Sequence, residues 1–302
     1  MRTAESYVAL VTCFNADESI NYPATRAQVR RQVAAGNNIL CAGTNGDFTA
    51  LTFEEKVTLT EQVVEEAAGK VKVIVNAGMP ATYETVQLAK AFDRIGVAGI
   101  AVITPFFIAC TQDGLVRHFS TVADAVNSPV YLYDIPARTQ NHIEPETART
   151  LAAHGNIAGI KDSGGKKDTL EAYLQVSKET TGFDVYSGPD SLVLWSCQNG
   201  AKGCISGLGN VMPDVLAGIV GAFNAGDMDE AARQQDRFTA LRTDLYALGY
   251  PPAMVKRALY VMDSSVGASR QPALLPDPAQ DAQITAILKA HDLLPTEQEA
   301  LS

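Results

Sequence analysis

Residues 71–105 read VKVIVNAGMPATYETVQLAKAFDRIGVAGIAVITP. Within this stretch the runs at 72–76 and 99–103 are apolar with little alternation, the pattern of strands covered on both faces in a parallel sheet. The segment between them, 81–95, is amphipathic with a helical pattern. Parallel neighbours need a crossover of this length, so the unit is strand, helix, strand.

The same rhythm extends in both directions. Strands are predicted at 7–12, 38–42, 72–76, 99–103, 130–133, 158–161, 184–187 and 203–206. Helices are predicted at 23–35, 52–68, 81–95, 111–125, 144–153, 168–180 and 191–199, several opening on Thr, Ser or Asp as helix caps. Thr52 with Glu55 three residues on has the form of a capping box. Eight such units predict an α/β fold of the (β/α)8 TIM-barrel type. A doubly wound sheet would need a glycine-rich turn after the first strand, and the chain there reads VTCFNADESI, with no GxGxxG. Further helices follow at 212–225, 227–248 and 252–262, then a proline-rich loop at 271–280 and a last helix at 282–291. The expected organisation is a barrel catalytic domain at 1–210 and a C-terminal helical extension at 211–302, acting as one functional unit.

Composition narrows the function. The 302 residues carry 24 basic and 34 acidic side chains, a formal charge of −10. Such a surface repels phosphate backbones and anionic lipid, so neither nucleic acid nor membrane is an expected partner. No apolar run approaches the roughly 18–20 residues that span a bilayer, and the start, MRTAESYVALVTCF, has no leader pattern. Cysteines 13, 41, 110, 197 and 204 are scattered, without a CxxC pair, which fits reduced thiols in a cytoplasmic protein. Histidines 118, 142, 154 and 291 lack ligand spacing, with 118 and 154 in helical stretches, so no metal is expected. No GxSxG elbow is present.

In a barrel the chemistry gathers where strands end. Lys161, ending the sixth strand, either bridges its neighbour Asp162 or has its amine pKa depressed by desolvation, becoming a nucleophile toward a ketone. Tyr133, ending the fifth strand, is either a proton shuttle beside that amine or a core tyrosine. Gly43, Thr44, Asn45 and Gly46 form a loop whose backbone N–H groups suit a small carboxylate, or a plain turn. Arg138 is either a bidentate carboxylate clamp or a surface residue. Gly164-Gly165-Lys166-Lys167 reads as a helix-entry turn rather than a phosphate cradle.

GTNGD after the second strand, YDIPART at the fifth and GIKDS at the sixth, in this order and spacing, resemble the dihydrodipicolinate synthase and N-acetylneuraminate lyase family over nearly the whole chain. That resemblance implies a TIM barrel with a C-terminal extension, a Schiff-base mechanism on pyruvate, no cofactor and a dimer or tetramer. It makes Lys161 the Schiff-base lysine and Tyr133 the catalytic tyrosine, with Thr44 polarising it. It places Gly43, Thr44 and Asn45 on the pyruvate carboxylate, Arg138 on a second carboxylate, and Ser163, Ile205, Ser206 and Gly207 along the pocket.

Three departures bear on the substrate. Asn45 and Asp47 give GTNGD where the family commonly has GTTGE or GSTGE, closer to the hydroxy-oxoglutarate aldolase branch. Phe106-Phe107 replaces a tyrosine pair, one member of which reaches into the neighbouring subunit and completes a proton relay, and a phenyl ring passes no proton. Cys13 replaces proline. The expected reaction is therefore reversible cleavage of a 2-oxo acid, such as a 2-oxo-3-deoxy sugar acid or 4-hydroxy-2-oxoglutarate, to pyruvate and an aldehyde. The alternatives are condensation of pyruvate with aspartate semialdehyde, dehydration of a sugar acid, or non-catalytic keto-acid binding.

Overall fold

The computed structural model describes residues 3–273 and 277–295. Its strands are β1 (Glu5–Ala9), β2 (Asn38–Cys41), β3 (Val73–Asn76), β4 (Gly99–Ile103), β5 (Val130–Asp134), β6 (Ile157–Asp162), β7 (Asp184–Ser187) and β8 (Gly203–Ser206). They pair in parallel in chain order and close into a barrel, β8 returning to β1. The helices are α1 (Tyr22–Ala35), α2 (Phe53–Ala67), α3 (Thr82–Ile95), α4 (Gln112–Asp124), α5 (Pro136–Thr139), α6 (Pro145–Ala152), α7 (Lys167–Glu179), α8 (Val193–Gln198), α9 (Pro213–Ala225), α10 (Met228–Tyr246), α11 (Pro251–Met262) and α12 (Pro278–Ala290).

Local chemistry explains the element ends. The Thr52 hydroxyl accepts from Glu55 N while Glu55 returns to Thr52 N, the predicted capping box at α2. Lys166 caps α7 after Gly165 at φ +80°, so the Gly164–Lys167 segment is a helix entry. The first strand differs from expectation, lying at Glu5–Ala9 rather than 7–12. Glu5 starts it because Lys72 and Lys202 pair with its carboxylate at 2.9 and 3.2 Å. Beyond Ala9 the ladder gives way to side-chain partners, with Val11 N donating to Asn210 and the Thr12 hydroxyl to Gly46 O. α5 was not foreseen. α12 begins at Pro278, four residues before the predicted start, under an Asp277–Gln280 capping box. Of the predicted loop at 271–280, residues 274–276 lie outside the described residues, as do 1–2 and 296–302 of the expected domains. His154 lies just past α6, paired with Asp124 at 3.0 Å.

The core has three parts. Inside the barrel, Tyr7, Leu40, Ile74, Ala101, Tyr186 and Ile205 pack with Tyr131. The Tyr186 ring meets Tyr7 and Tyr131 edge-on at 5.5 and 5.9 Å, and Tyr7 Oη donates to Glu5 at the strand starts. Between strands and helices lies the main apolar layer, from Val29 through Phe92 and Phe119 to Tyr173. A third cluster, including Leu216, Phe238, Leu245, Leu259 and Leu288, welds the C-terminal helices to the barrel. α9 packs on α8, α1 and β1 as the eighth helix of the ring, so the division expected at 210 runs between β8 and the helix that follows it. From there α10 and its connection to α11 carry Arg242, Tyr246 and Tyr250 to the face where the strands end. Among the described residues no helix is long and apolar enough to cross a membrane.

Candidate active site

Lys161 is the penultimate residue of β6 and points into the barrel, 4% exposed. Tyr133 is its register partner on β5, so the period of two turns both side chains inward together. The Lys161 amine lies 4.1 Å from the centroid of the Tyr133 ring. Tyr133 Oη is 3.0 Å from Thr44 Oγ1, which stands on a 3-10 turn (Thr44–Gly46) after β2. Three separate segments thus bring an amine, a phenol and an alcohol together. Thr44 and Asn45 occupy the opening positions of their turn, where backbone N–H groups have no intrahelical acceptor.

Asp162, next in the chain, alternates to the outside of the barrel and has no ion pair with Lys161. The simple bridge between these neighbours is therefore not formed. On the outer face Asp162 stands beside Asp134 in register. Its Oδ1 accepts from Gly164 N at 2.7 Å, and its Oδ2 has no partner. Burial, with the nearby Asp134 charge, pushes its carboxyl up to about 6. Asp134 accepts from Ile143 N and Tyr173 Oη and pairs with His142 at 2.8 Å, an interaction that raises the imidazole pKa.

A cavity of about 250 Å³ opens above the amine. Thr44, Asn45, Tyr133, Arg138, Lys161, Ser163, Ile205 and Gly207 all line it. Gly43 and Ser206 do not. Gly43 opens the turn, its carbonyl accepting from Gly46 N at 3.0 Å. Ser206, expected among the substrate-binding residues, spends its hydroxyl on protein, donating to Asp190 Oδ1 and accepting from Gly209 N at 2.9 Å. A Cβ on Gly207 would stand 2.8 Å from the Asn45 amide, so glycine there lets Asn45 approach the barrel mouth. Arg138, exposed on α5, stacks on the Tyr250 ring at 4.5 Å. It stands between this cavity and a neighbouring one of about 430 Å³ that reaches Phe48 and Phe106.

The phenylalanine pair divides. Phe107 is 85% exposed with φ +76°. Phe106 is half-buried and meets Phe48 edge-on at 5.8 Å.

Several residues at the site carried no marked signal in the sequence. Asp190, buried, lines the cavity and has both carboxylate oxygens occupied, by Ser206 and by Tyr246 at 2.9 Å; burial raises its pKa against these bonds. Arg242 and Tyr246 reach the cavity from α10, and Pro251 and Pro252 from α11. Under the Thr44 turn lies Lys256 of α11, buried, with Nζ donating to Thr12 O, 3.5 Å from Asp47 Oδ2 and over the Phe14 ring at 4.8 Å. Burial lowers its pKa, and the Asp47 charge opposes that. Ser269 donates to the same Asp47 oxygen at 2.9 Å.

Comparisons with known proteins place nearly the whole chain in one family. Residues 2–291 match the Dihydrodipicolinate synthetase family. The 4-hydroxy-tetrahydrodipicolinate synthase of Trichlorobacter lovleyi is 34% identical over 290 residues, 96% of this chain and 99% of that protein. The enzyme of that name from Mycolicibacterium paratuberculosis is 37% identical over 287 residues, 95% and 94% of the two chains. Among solved structures, dihydrodipicolinate synthase from Aquifex aeolicus superposes with a TM-score of 0.88 at 33% identity, covering 96% of this chain and 98% of that one. A prophage protein of the family from E. coli K12, in complex with pyruvate, gives 0.91 at 28% identity, with 96% and 99% covered. A parallel barrel matched over residues 2–291, with relatives of this identity and coverage, makes this chain a lyase of the Dihydrodipicolinate synthetase family.

Proposed function

We propose that this protein is a Schiff-base aldolase that reversibly cleaves a 2-oxo acid to pyruvate and an aldehyde. The observation that carries the reading is the Lys161–Tyr133–Thr44 chain at the floor of the cavity. The neutral Lys161 amine adds to the C2 ketone and water leaves, giving an iminium conjugated with C3. Tyr133, held by Thr44, gives its phenol proton to the departing hydroxyl so that it leaves as water and, now the phenolate, takes the proton of the C4 hydroxyl. The C3–C4 electron pair moves into the iminium, the aldehyde departs and an enamine remains. Tyr133 returns a proton to C3, and water hydrolyses the iminium to pyruvate and free Lys161. The turn at Gly43, Thr44 and Asn45 holds the C1 carboxylate, which orients the breaking bond across the iminium plane.

The exposed, hydroxyl-free Phe107 favours cleavage over the condensation and dehydration that a tyrosine relay would serve, with the pair at 106 and 107 meeting a neighbouring subunit. The synthase reading is supported by Arg138 and by the names of the relatives. Borohydride with pyruvate should leave a reduced adduct on Lys161, seen by mass spectrometry, and an unmodified protein would sink the mechanism. Coupled assays then choose the reaction: pyruvate release from a 4-hydroxy-2-oxo acid supports the aldolase, and pyruvate consumption with aspartate semialdehyde supports the synthase.

A further inference from the structure

The cavity above Lys161 has a wall that the mechanism leaves unused. Arg242, half-buried on α10, lines it together with Arg138. Its guanidinium rests over the ring of Tyr246, 5.3 Å to the centroid and one helical turn further on. That ring is fixed in turn, because Tyr246 Oη donates to Asp190 Oδ2 at 2.9 Å while Ser206 donates to Oδ1 and Gln235 Nε2 to the Asp190 carbonyl. The platform is therefore built from the far end of the barrel ladder and from the C-terminal extension at once. Both oxygens of Asp190 accept, the pattern of an ionised carboxylate, and neither is within ion-pair distance of Arg242. Among the described residues neither Arg138 nor Arg242 makes a side-chain hydrogen bond or ion pair. Each offers five donors and no acceptor.

We propose that Arg242 is a specificity-determining residue that, with Arg138, grips a carboxylate on the half of the substrate remote from Lys161. The substrates are then 2-oxo acids whose departing aldehyde is itself an acid. This rests on the Schiff-base reading above and deepens it. Charge balance carries the argument. With Lys161 as the iminium, the cavity walls hold three positive groups, Lys161, Arg138 and Arg242, against one negative, Asp190. A substrate with two carboxylates brings the site to neutrality. A sugar acid, with one carboxylate and a polyhydroxy tail, leaves a half-buried guanidinium without an anion, which is the costly arrangement. Planar guanidinium forks also match a carboxylate in two-bond geometry, which hydroxyl groups do not.

The test separates the clamp from the chemistry. In Lys161→Ala, where no Schiff base forms, calorimetric titration with 2-oxoglutarate and with pyruvate reads the remote carboxylate directly. Adding Arg242→Gln should weaken 2-oxoglutarate binding by about 10- to 100-fold and leave pyruvate within about twofold. Arg242→Lys should recover only part of the loss, because it restores the charge without the fork. In the wild-type background, Arg242→Gln should lower kcat/KM for 4-hydroxy-2-oxoglutarate by a similar factor, with 2-oxo-3-deoxygluconate changed less than about threefold. Equal effects on 2-oxoglutarate and pyruvate, or none on either, overturn the clamp. Failure of borohydride trapping on Lys161 in the unaltered protein overturns the Schiff-base reading instead, and the titrations still decide whether the clamp exists.

Discussion

Lys256 on α11 and Asp47 at the end of the Thr44 turn stand 3.5 Å apart beneath the site, and two oddities of the sequence meet there. Asp47 shortens the acidic residue common in the family, and Cys13, whose thiol burial pushes up, follows Thr12, whose carbonyl the same lysine meets. The hydroxyl of Thr12, whose carbonyl accepts from Lys256, in turn donates to Gly46 O at 2.7 Å. A buried ammonium from the extension thus ties down the turn that carries Thr44 and Asn45.

Lys256→Met should therefore act in two ways. Removing one partner of a largely buried pair is expected to cost roughly 2–3 kcal/mol, below the fully buried case because Asp47 keeps some solvent; urea unfolding measures this. The pyruvate concentration that half-saturates borohydride trapping should also rise about tenfold. Lower stability with unchanged pyruvate dependence would make the tie purely structural.

Tyr133→Phe keeps the ring under the Lys161 amine and deletes the phenol. Turnover should fall by about 10²- to 10⁴-fold, the range for losing a general acid–base group, while the pyruvate adduct on Lys161 still forms. Thr44→Val, which leaves Tyr133 Oη without its partner, should lose less. A Tyr133→Phe enzyme with near-normal turnover would remove the phenol from the mechanism.

Asp162 sets a pH dependence of stability. Its carboxyl titrates near 6 in the folded chain against an ordinary 3.8, so the folded state holds the proton to higher pH. Its contribution is fully present below about 3.8 and is lost as pH rises through about 6. Asp162→Asn should stabilise the protein by roughly 1–3 kcal/mol at pH 7.5 and by little at pH 4, read by urea unfolding at both values. No gain at pH 7.5 would show that an unseen partner satisfies Oδ2.

His118 works in the opposite sense. Burial pushes its imidazole down to about 4, with Nδ1 on the Thr82 hydroxyl and Nε2 without a partner. The neutral ring contributes stability that is complete above about 6.5 and lost as pH falls through about 4. His118→Gln should flatten the acid side of the stability curve between these values. An unchanged acid midpoint would contradict it.

Gly207→Ala probes the approach of Asn45. The added methyl meets only the end of a side chain, so folding should cost less than about 1 kcal/mol, while Asn45 swings away from the mouth and KM for pyruvate rises several-fold. Thermal melting and trapping at graded pyruvate concentrations check the two halves.

The barrel was legible because buried parallel strands must be apolar on both faces, and runs such as 99–103 leave little choice. β1 was displaced because Glu5 is acceptable in a strand only where two lysines reach it. Lys161, Tyr133 and Thr44 could be named from motifs and strand ends. Their separation from Asp162 follows from the period of two alone. Ser206 could not be judged from sequence, since its hydroxyl is claimed by Asp190, sixteen residues earlier. Arg242 and Tyr246 lie on an amphipathic helix well past the barrel, where spacing does not say which polar residue turns to the mouth.

Tyr7, Tyr131 and Tyr186 close the lower end of the barrel with interlocked rings. The barrel is consequently blind at that end, and on the proposed mechanism Lys161 would hold one half of the substrate covalently above the plug. On that mechanism the untethered half above it leaves first, so the aldehyde is expected to exit before pyruvate and, in the reverse direction, pyruvate to enter first. A plug of aromatic rings that takes no part in bond making would thus leave the strand-end mouth as the route for both halves.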